Sequence, residues 1–126
     1  MKSEAITAMA DNNLHPLFLQ PAFKDYIWGG TRLKTDWGKQ TALSPLAESW
    51  ELSCHEAGPS VVASGDWVGQ TLTQVLAAHP QFAGVKAEKA GEFPLLIKLI
   101  DAAGPLSVQV HPDDAYARRV EHAQGK

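Results

Sequence analysis

Residues 93–114 read FPLLIKLIDAAGPLSVQVHPDD, and this stretch carries the clearest pattern in the chain. Its first eight residues form a nearly continuous apolar run, too short for a good helix and rich in strand formers. The run predicts a strand that is buried on both faces. Residues 106–111 alternate apolar and polar side chains, which predicts a second strand with Leu106, Val108 and Val110 on one face.

The opposite face of this second strand carries Ser107, Gln109 and His111. Side chains two residues apart on a strand lie roughly 7 Å apart on the same side, so Gln109 and His111 can converge on one ion. Imidazole is a favoured zinc ligand, and an amide oxygen is a less usual one. The alternative is a strand with one solvated face. The apolar strand before it favours a pocket, where buried polar side chains would find partners.

Lys98 interrupts the apolar run, and lysine is almost never fully buried unless it is paired. Either its stem reaches along the surface, or its ammonium group enters a polar pocket. If the two predicted strands are adjacent and antiparallel, Lys98 points into the same cavity as Gln109 and His111. An ammonium group in that cavity would suit an anionic substrate.

The rest of the chain predicts short elements. Residues 17–28 read as extended pieces broken by Pro21 and ending in a tight turn at Gly29-Gly30. Residues 47–53 and 60–63 read as strands. Thr71 and Gln74 form a capping-box pattern at the start of a helix over residues 71–79.

Two further patterns concern acidic and histidine side chains. Asp113 or Asp114 is expected to begin a final helix that reaches about residue 123, a role that fits the pair better than catalysis. The histidines at positions 15, 55, 79 and 122 show no ligand spacing to a partner.

Composition bounds the function. The 126 residues suffice for one domain, and 44% hydrophobic with 20% charged residues is typical of a globular protein. A net charge of -3 argues against nucleic-acid binding. The single cysteine, Cys54, cannot form an internal disulfide, which fits a reducing cytoplasm, and we interpret it as a small buried group and not as a nucleophile.

The sequence also predicts no membrane association. No apolar run reaches the ~20 residues that a membrane span needs. Residues 1–13 are polar and lack the apolar core of a signal peptide, so we expect a flexible tail there.

Residues 93–102, running into residues 106–114, strongly resemble class I mannose-6-phosphate isomerase. Shorter pieces agree with that family in the same order along the chain, at residues 16–23, 28–30, 48–53 and 69–72. The resemblance therefore covers nearly the whole chain after the first dozen residues.

The resemblance implies a mainly β fold with short helices, a partial cupin domain (double-stranded β-helix, or jelly roll) over residues 14–126. It implies a zinc-dependent isomerase of mannose metabolism, which interconverts mannose 6-phosphate and fructose 6-phosphate. Gln109 and His111 would be zinc ligands, Lys98 and Ser107 would line the sugar-phosphate pocket, and Glu48 would lie near the site. The expected partner is a hexose 6-phosphate; the resemblance leaves the oligomeric state open.

The family pattern continues beyond Lys126 with a third zinc ligand, a distal histidine and a catalytic arginine that have no counterpart here. We therefore expect an incomplete metal site in this chain, either as a fragment or as a natural truncation. Such a chain would bind zinc weakly and would not be a competent isomerase alone. The alternative function is a non-catalytic cupin-like module that binds a sugar or a metal.

Overall fold

The computed structural model describes residues 15–84, 93–123 and 125. The expected tail at residues 1–13 lies outside these residues. Among the helices of the described residues, none has the length and apolar content that a membrane crossing requires.

Two small antiparallel sheets form the frame of the structure. In the first, β1 (Leu19–Gln20) pairs with β4 (Val61–Val62). In the second, β3 (Glu48–Leu52) lies between β2 (Ala22–Lys24) and β5 (Ile97–Ile100). Pro21 separates β1 from β2, as the sequence predicts, because proline has no N–H to continue a ladder of hydrogen bonds.

Short helices connect and cover these sheets. They are α1 (Arg32–Thr35), which the sequence analysis did not predict, α2 (Leu72–Ala78) and α3 (Asp114–Tyr116), which continues as a π-helical turn (Ala117–Glu121). Two 3-10 turns lie at Gly65–Trp67 and Pro80–Ala83. The predicted final helix is therefore present, and the Asp113 carboxylate accepts from the backbone N–H of Tyr116 at its start, at 2.8 Å.

The capping box of α2 is confirmed. The Thr71 hydroxyl accepts from the Gln74 backbone N–H at 3.2 Å, and the Gln74 side chain accepts from the Thr71 backbone N–H at 2.9 Å. Leu72 and Val75 turn one face of this helix into the core. The helix ends just before Pro80, which cannot continue it.

The core is small and lies between the sheets and α2. Its buried apolar side chains are Leu33, Leu46, Ala47, Trp50, Val62, Leu72, Val75 and Ala117. Two buried serines link β3 to β4, since the Ser53 N–H donates to the Ser60 hydroxyl at 3.0 Å and the Ser60 N–H to the Ser53 carbonyl at 2.8 Å. These contacts hold β3 in the position from which the candidate site is built.

The predicted tight turn is present, since the Gly29 N–H donates to the Tyr26 carbonyl at 2.8 Å, but neither Gly29 nor Gly30 has positive φ. Both are needed for close packing instead. A Cβ on Gly29 would lie 2.6 Å from the Ala47 backbone, and one on Gly30 would fall against the Asp101 carboxylate. That carboxylate accepts from the Arg32 backbone N–H at 2.7 Å and so ties the end of β5 to α1.

The apolar run over residues 93–100 differs from its prediction in extent and burial. The strand begins only at Ile97, and Leu95, Ile97 and Ile100 are about half exposed. Burial on both faces is therefore wrong for the described residues. The reason is that, within residues 15–84 and 93–123, β5 pairs with β3 alone and much of its apolar surface stays accessible.

The predicted strand over residues 106–111 is also wrong for this structure, because the segment 105–113 has no regular secondary structure. Val108 is 98% exposed and Val110 is 84% exposed. A strand is held by hydrogen bonds to a neighbour. Among the described residues this segment pairs with none, so its alternating pattern has no sheet in which to lie.

Candidate active site

The register of the three-stranded sheet brings Glu48, Trp50 and Lys98 onto one face. Trp50 lies opposite Lys98 across the β3–β5 pair, and Glu48 lies two residues from Trp50 on the same strand. Directly opposite residues of an antiparallel pair share a face, as do residues two apart on a strand. Lys98 therefore meets β3, and not the segment 105–113 that the sequence analysis placed beside it.

An ion pair between an accessible lysine and a buried glutamate forms the centre of this face. The Lys98 ammonium lies 3.1 Å from Glu48 Oε1 and 3.2 Å from Oε2. The Glu48 residue is only 5% exposed, whereas about a third of the Lys98 side chain, 34%, remains accessible. A buried carboxylate needs such a partner because desolvation of an unpaired charge is costly.

The Trp50 indole completes the environment of the carboxylate. Its Nε1–H donates to Glu48 Oε2 at 2.7 Å, and the ring is buried. The Lys24 ammonium lies 4.5 Å from the centre of the Trp50 ring, and the Lys98 ammonium lies 5.7 Å from it. These distances are within the range of cation–π attraction, so the ring contributes to holding both cations.

The sequence did not predict that the Trp50 indole would bond to Glu48 or that Lys24 would lie over the Trp50 ring. The only available signal was the proximity of Trp50 to Glu48 along a predicted strand, and that spacing is common in half-buried strands. The contact of Lys24 depends on the pairing of β2 with β3, in which Lys24 lies opposite Glu48. A single sequence does not specify that pairing.

The other face of β3 carries a second polar group. Glu51 Oε1 accepts from the Ser49 hydroxyl at 2.6 Å and pairs with the Lys39 ammonium at 2.7 Å. Lys39 also borders an open cleft of about 500 Å³, whose walls are Gln20, Pro21, Phe23, Trp37, Gly38, Lys39 and Gln40. Because successive side chains point to opposite faces, this group is separate from the Glu48–Lys98 pair.

The remaining candidates, Ser107, Gln109 and His111, lie in the exposed segment 105–113. Among the hydrogen bonds of the described residues, none joins their side chains to Glu48 or Lys98. Gln109 and His111 are both exposed, and an amide oxygen and an imidazole are donor groups that zinc accepts. The described residues, however, bring no three His, Cys, Asp or Glu side chains together as a metal site. The two side chains thus fit part of a zinc site but do not form one by themselves.

Cys54 is half-buried, and burial raises the pKa of its thiol, while a hydrogen bond with Thr73 lowers it. This state agrees with the interpretation of Cys54 as a packed group and not as an activated nucleophile. Of the other histidines, His15 and His79 contact the Trp67 ring, and His55 meets the edge of the Trp50 ring.

Comparison with protein families places this sheet in a known context. The model of the phosphomannose isomerase type I catalytic domain matches residues 17–126. The chain belongs to this family. Its structure resembles the crystal structure of the mannose 6-phosphate isomerase from Bacillus subtilis with a TM-score of 0.79 and 41% identity, over 89% of this chain and 35% of that one. The predicted cupin fold class, mainly β with short helices, is thereby confirmed.

Curated relatives agree with this membership. A probable mannose-6-phosphate isomerase of Bacillus subtilis is 47% identical over 108 residues, which are 86% of this chain and 34% of the relative. The mannose-6-phosphate isomerase of Streptococcus mutans is 43% identical over 111 residues, which are 88% of this chain and 34% of the relative. The chain therefore spans about a third of the length of these family members.

Proposed function

We propose that this chain contributes to an isomerase that interconverts mannose 6-phosphate and fructose 6-phosphate in the cytoplasm. The observation that carries the proposal is the match of residues 17–126 to the type I phosphomannose isomerase catalytic domain. The relatives' names supply the substrate, mannose 6-phosphate. The Glu48–Lys98 pair supplies a cation that is fixed in position and still accessible, as an anionic substrate requires.

In this proposal Lys98 binds the phosphate group or an oxygen of the sugar. Glu48 holds the ammonium group from its buried side, so the accessible protons of Lys98 point away from the sheet toward the ligand. Fixing the ammonium before the substrate arrives lowers the entropy lost on binding. The isomerisation itself moves a proton between C1 and C2, which requires a general base, and the described residues give no geometry from which to assign one.

We also propose that Ser107 lines the sugar-phosphate pocket and that Gln109 and His111 donate two ligands to zinc. The support is the donor chemistry of an amide oxygen and an imidazole, together with family membership. When bound, zinc would act as a Lewis acid on the substrate oxygens. The segment 105–113 would then have to hold both side chains against the same ion.

The test is the substitution Lys98→Met in the full-length protein. This change keeps the apolar stem and removes the charge, so KM for mannose 6-phosphate should rise by about ten- to a hundredfold, the range for losing a hydrogen bond to a charged group. Lys34→Met, on α1, is the matched control and should leave KM unchanged. Formation of fructose 6-phosphate is followed in a coupled assay.

Two outcomes would contradict the proposal. Wild-type kinetic constants in the Lys98→Met variant would remove Lys98 from the pocket. Binding of mannose 6-phosphate by the wild-type protein without any turnover would instead support the non-catalytic sugar-binding module.

A further inference from the structure

The Trp50 side chain is the one neutral donor to the Glu48 carboxylate among the described residues. Its indole N–H reaches Oε2 at 2.7 Å, while the Lys98 ammonium reaches both oxygens at 3.1 and 3.2 Å. The indole bond is thus the shortest of the three. It fixes one particular oxygen, whereas the ammonium bridges both.

Trp50 is itself held firmly. The ring is 6% exposed, and the His55 ring meets it edge-on with the centroids 5.5 Å apart. Gly58 packs so closely that a Cβ there would lie 3.2 Å from Trp50 Cε3. With Lys24 over the ring as well, the indole N–H has little freedom to point elsewhere.

Lys98, by contrast, has a flexible four-carbon stem and three rotatable donors. Its position depends on the carboxylate that it meets, and the orientation of that carboxylate depends on the indole. Without the N–H, Glu48 would be free to rotate with the ammonium, and Oε2 would lose its fixed partner. The packed Trp50 ring thus orients the Glu48 carboxylate, and the carboxylate in turn positions the accessible Lys98 ammonium group.

We infer that Trp50 is a positioning residue: its indole N–H orients the Glu48 carboxylate, which in turn places the Lys98 ammonium for an anionic group of the substrate. This inference rests on the proposed function, because it assigns Lys98 to substrate binding. It predicts an effect on the binding of phosphate groups that depends on the presence of Lys98.

The first experiment is the substitution Trp50→Phe in the full-length protein. This change keeps an aromatic ring and removes the N–H. KM for mannose 6-phosphate and the inhibition constant of inorganic phosphate should both rise, by about tenfold, with kcat changed much less. Trp67→Phe is the matched control, because Trp67 packs against His15, His79 and Phe82 and not against Glu48. It should change neither constant.

A double-mutant cycle separates positioning from a general loss of packing. In the Lys98→Met background, Trp50→Phe should change KM by less than about twofold, because the cation that it positions is already gone. Equal effects of Trp50→Phe with and without Lys98 would overturn the inference. If Trp50→Phe does not fold, replacement of Trp50 by benzothienylalanine keeps the shape of the ring and lacks the N–H.

The outcomes distinguish this inference from the proposed function. A wild-type protein that isomerises mannose 6-phosphate, with Trp50→Phe or the benzothienylalanine protein unaltered in KM and in phosphate inhibition, would overturn the inference alone. A wild-type protein that neither binds nor isomerises mannose 6-phosphate would overturn the proposed function and the inference with it.

Discussion

The two glutamates of β3, Glu48 and Glu51, differ in burial and in the face of the strand on which they lie. Glu48 is buried and bonded to Lys98 and Trp50. Glu51, three residues further along the strand and on its other face, contacts Ser49 and Lys39. The alternation of a strand predicts that Glu48 and Glu51 face opposite sides. It does not predict their charged partners, because Lys39 and Lys98 lie 12 and 50 positions away along the sequence and only folding brings them near.

Lys98 was recognisable from the sequence because a charged side chain within an apolar run must find a partner or reach water. The structure shows both, since the ammonium is paired with Glu48 and remains partly accessible. The identity of the partner was not recognisable, since it depends on which strand lies next to β5. Gln109 and His111 would have been the expected neighbours had residues 106–111 formed the adjacent strand.

Cys54 allows a prediction of pH dependence. Because burial raises the pKa of its thiol, the thiolate fraction at a given pH is lower than for a free cysteine. Alkylation by iodoacetamide should therefore be slower than that of a cysteine peptide at pH 8, and its rate should rise with pH to a midpoint above the ordinary value. The urea-unfolded chain is the control and should react like the peptide; a midpoint below the ordinary value would contradict the assignment.

At the scale of elements, local signals were the reliable ones. The capping box of α2 is visible in the sequence because Thr71 and Gln74 are only three residues apart and serve each other's backbone. The strand pattern at residues 106–111 was equally clear and yet formed no strand here. A helix satisfies its backbone internally, whereas a strand requires a neighbour, and a single sequence does not show whether that neighbour is present.

The capping box gives a stability prediction for α2. Thr71→Ala removes the hydroxyl that accepts from the Gln74 N–H, so the free energy of unfolding should fall by about 1 kcal/mol. Thr71→Ser keeps the acceptor and should retain most of the stability. Urea denaturation followed by circular dichroism measures both variants. Equal losses for the two substitutions would show that the methyl group of Thr71, and not its hydroxyl, stabilises the helix.

At the scale of the whole molecule, the described residues form a small core beside a large apolar surface. The exposed apolar side chains between positions 95 and 110 are Leu95, Leu96, Ile97, Ile100, Leu106, Val108 and Val110. The family members that the chain matches are about three times as long, which agrees with a core that is only partly enclosed by these residues. Family membership was predictable because residues 93–114 carry so specific a pattern, but the exposure of that same stretch was not.

This surface leads to a prediction for the polypeptide of residues 1–126. Exposed apolar side chains of this number promote association, so its sedimentation coefficient should rise with concentration beyond that of a monomer. Val108→Ser combined with Val110→Ser should reduce the association, because these two side chains are 98% and 84% exposed and contribute little to the core. Val68→Ser is the matched control, since Val68 is 61% exposed but lies outside positions 95–110. A polypeptide that stays monomeric at all concentrations would show that this stretch is covered by the chain itself in solution. A control that reduces association as much as the double variant would show that the association does not depend on positions 95–110.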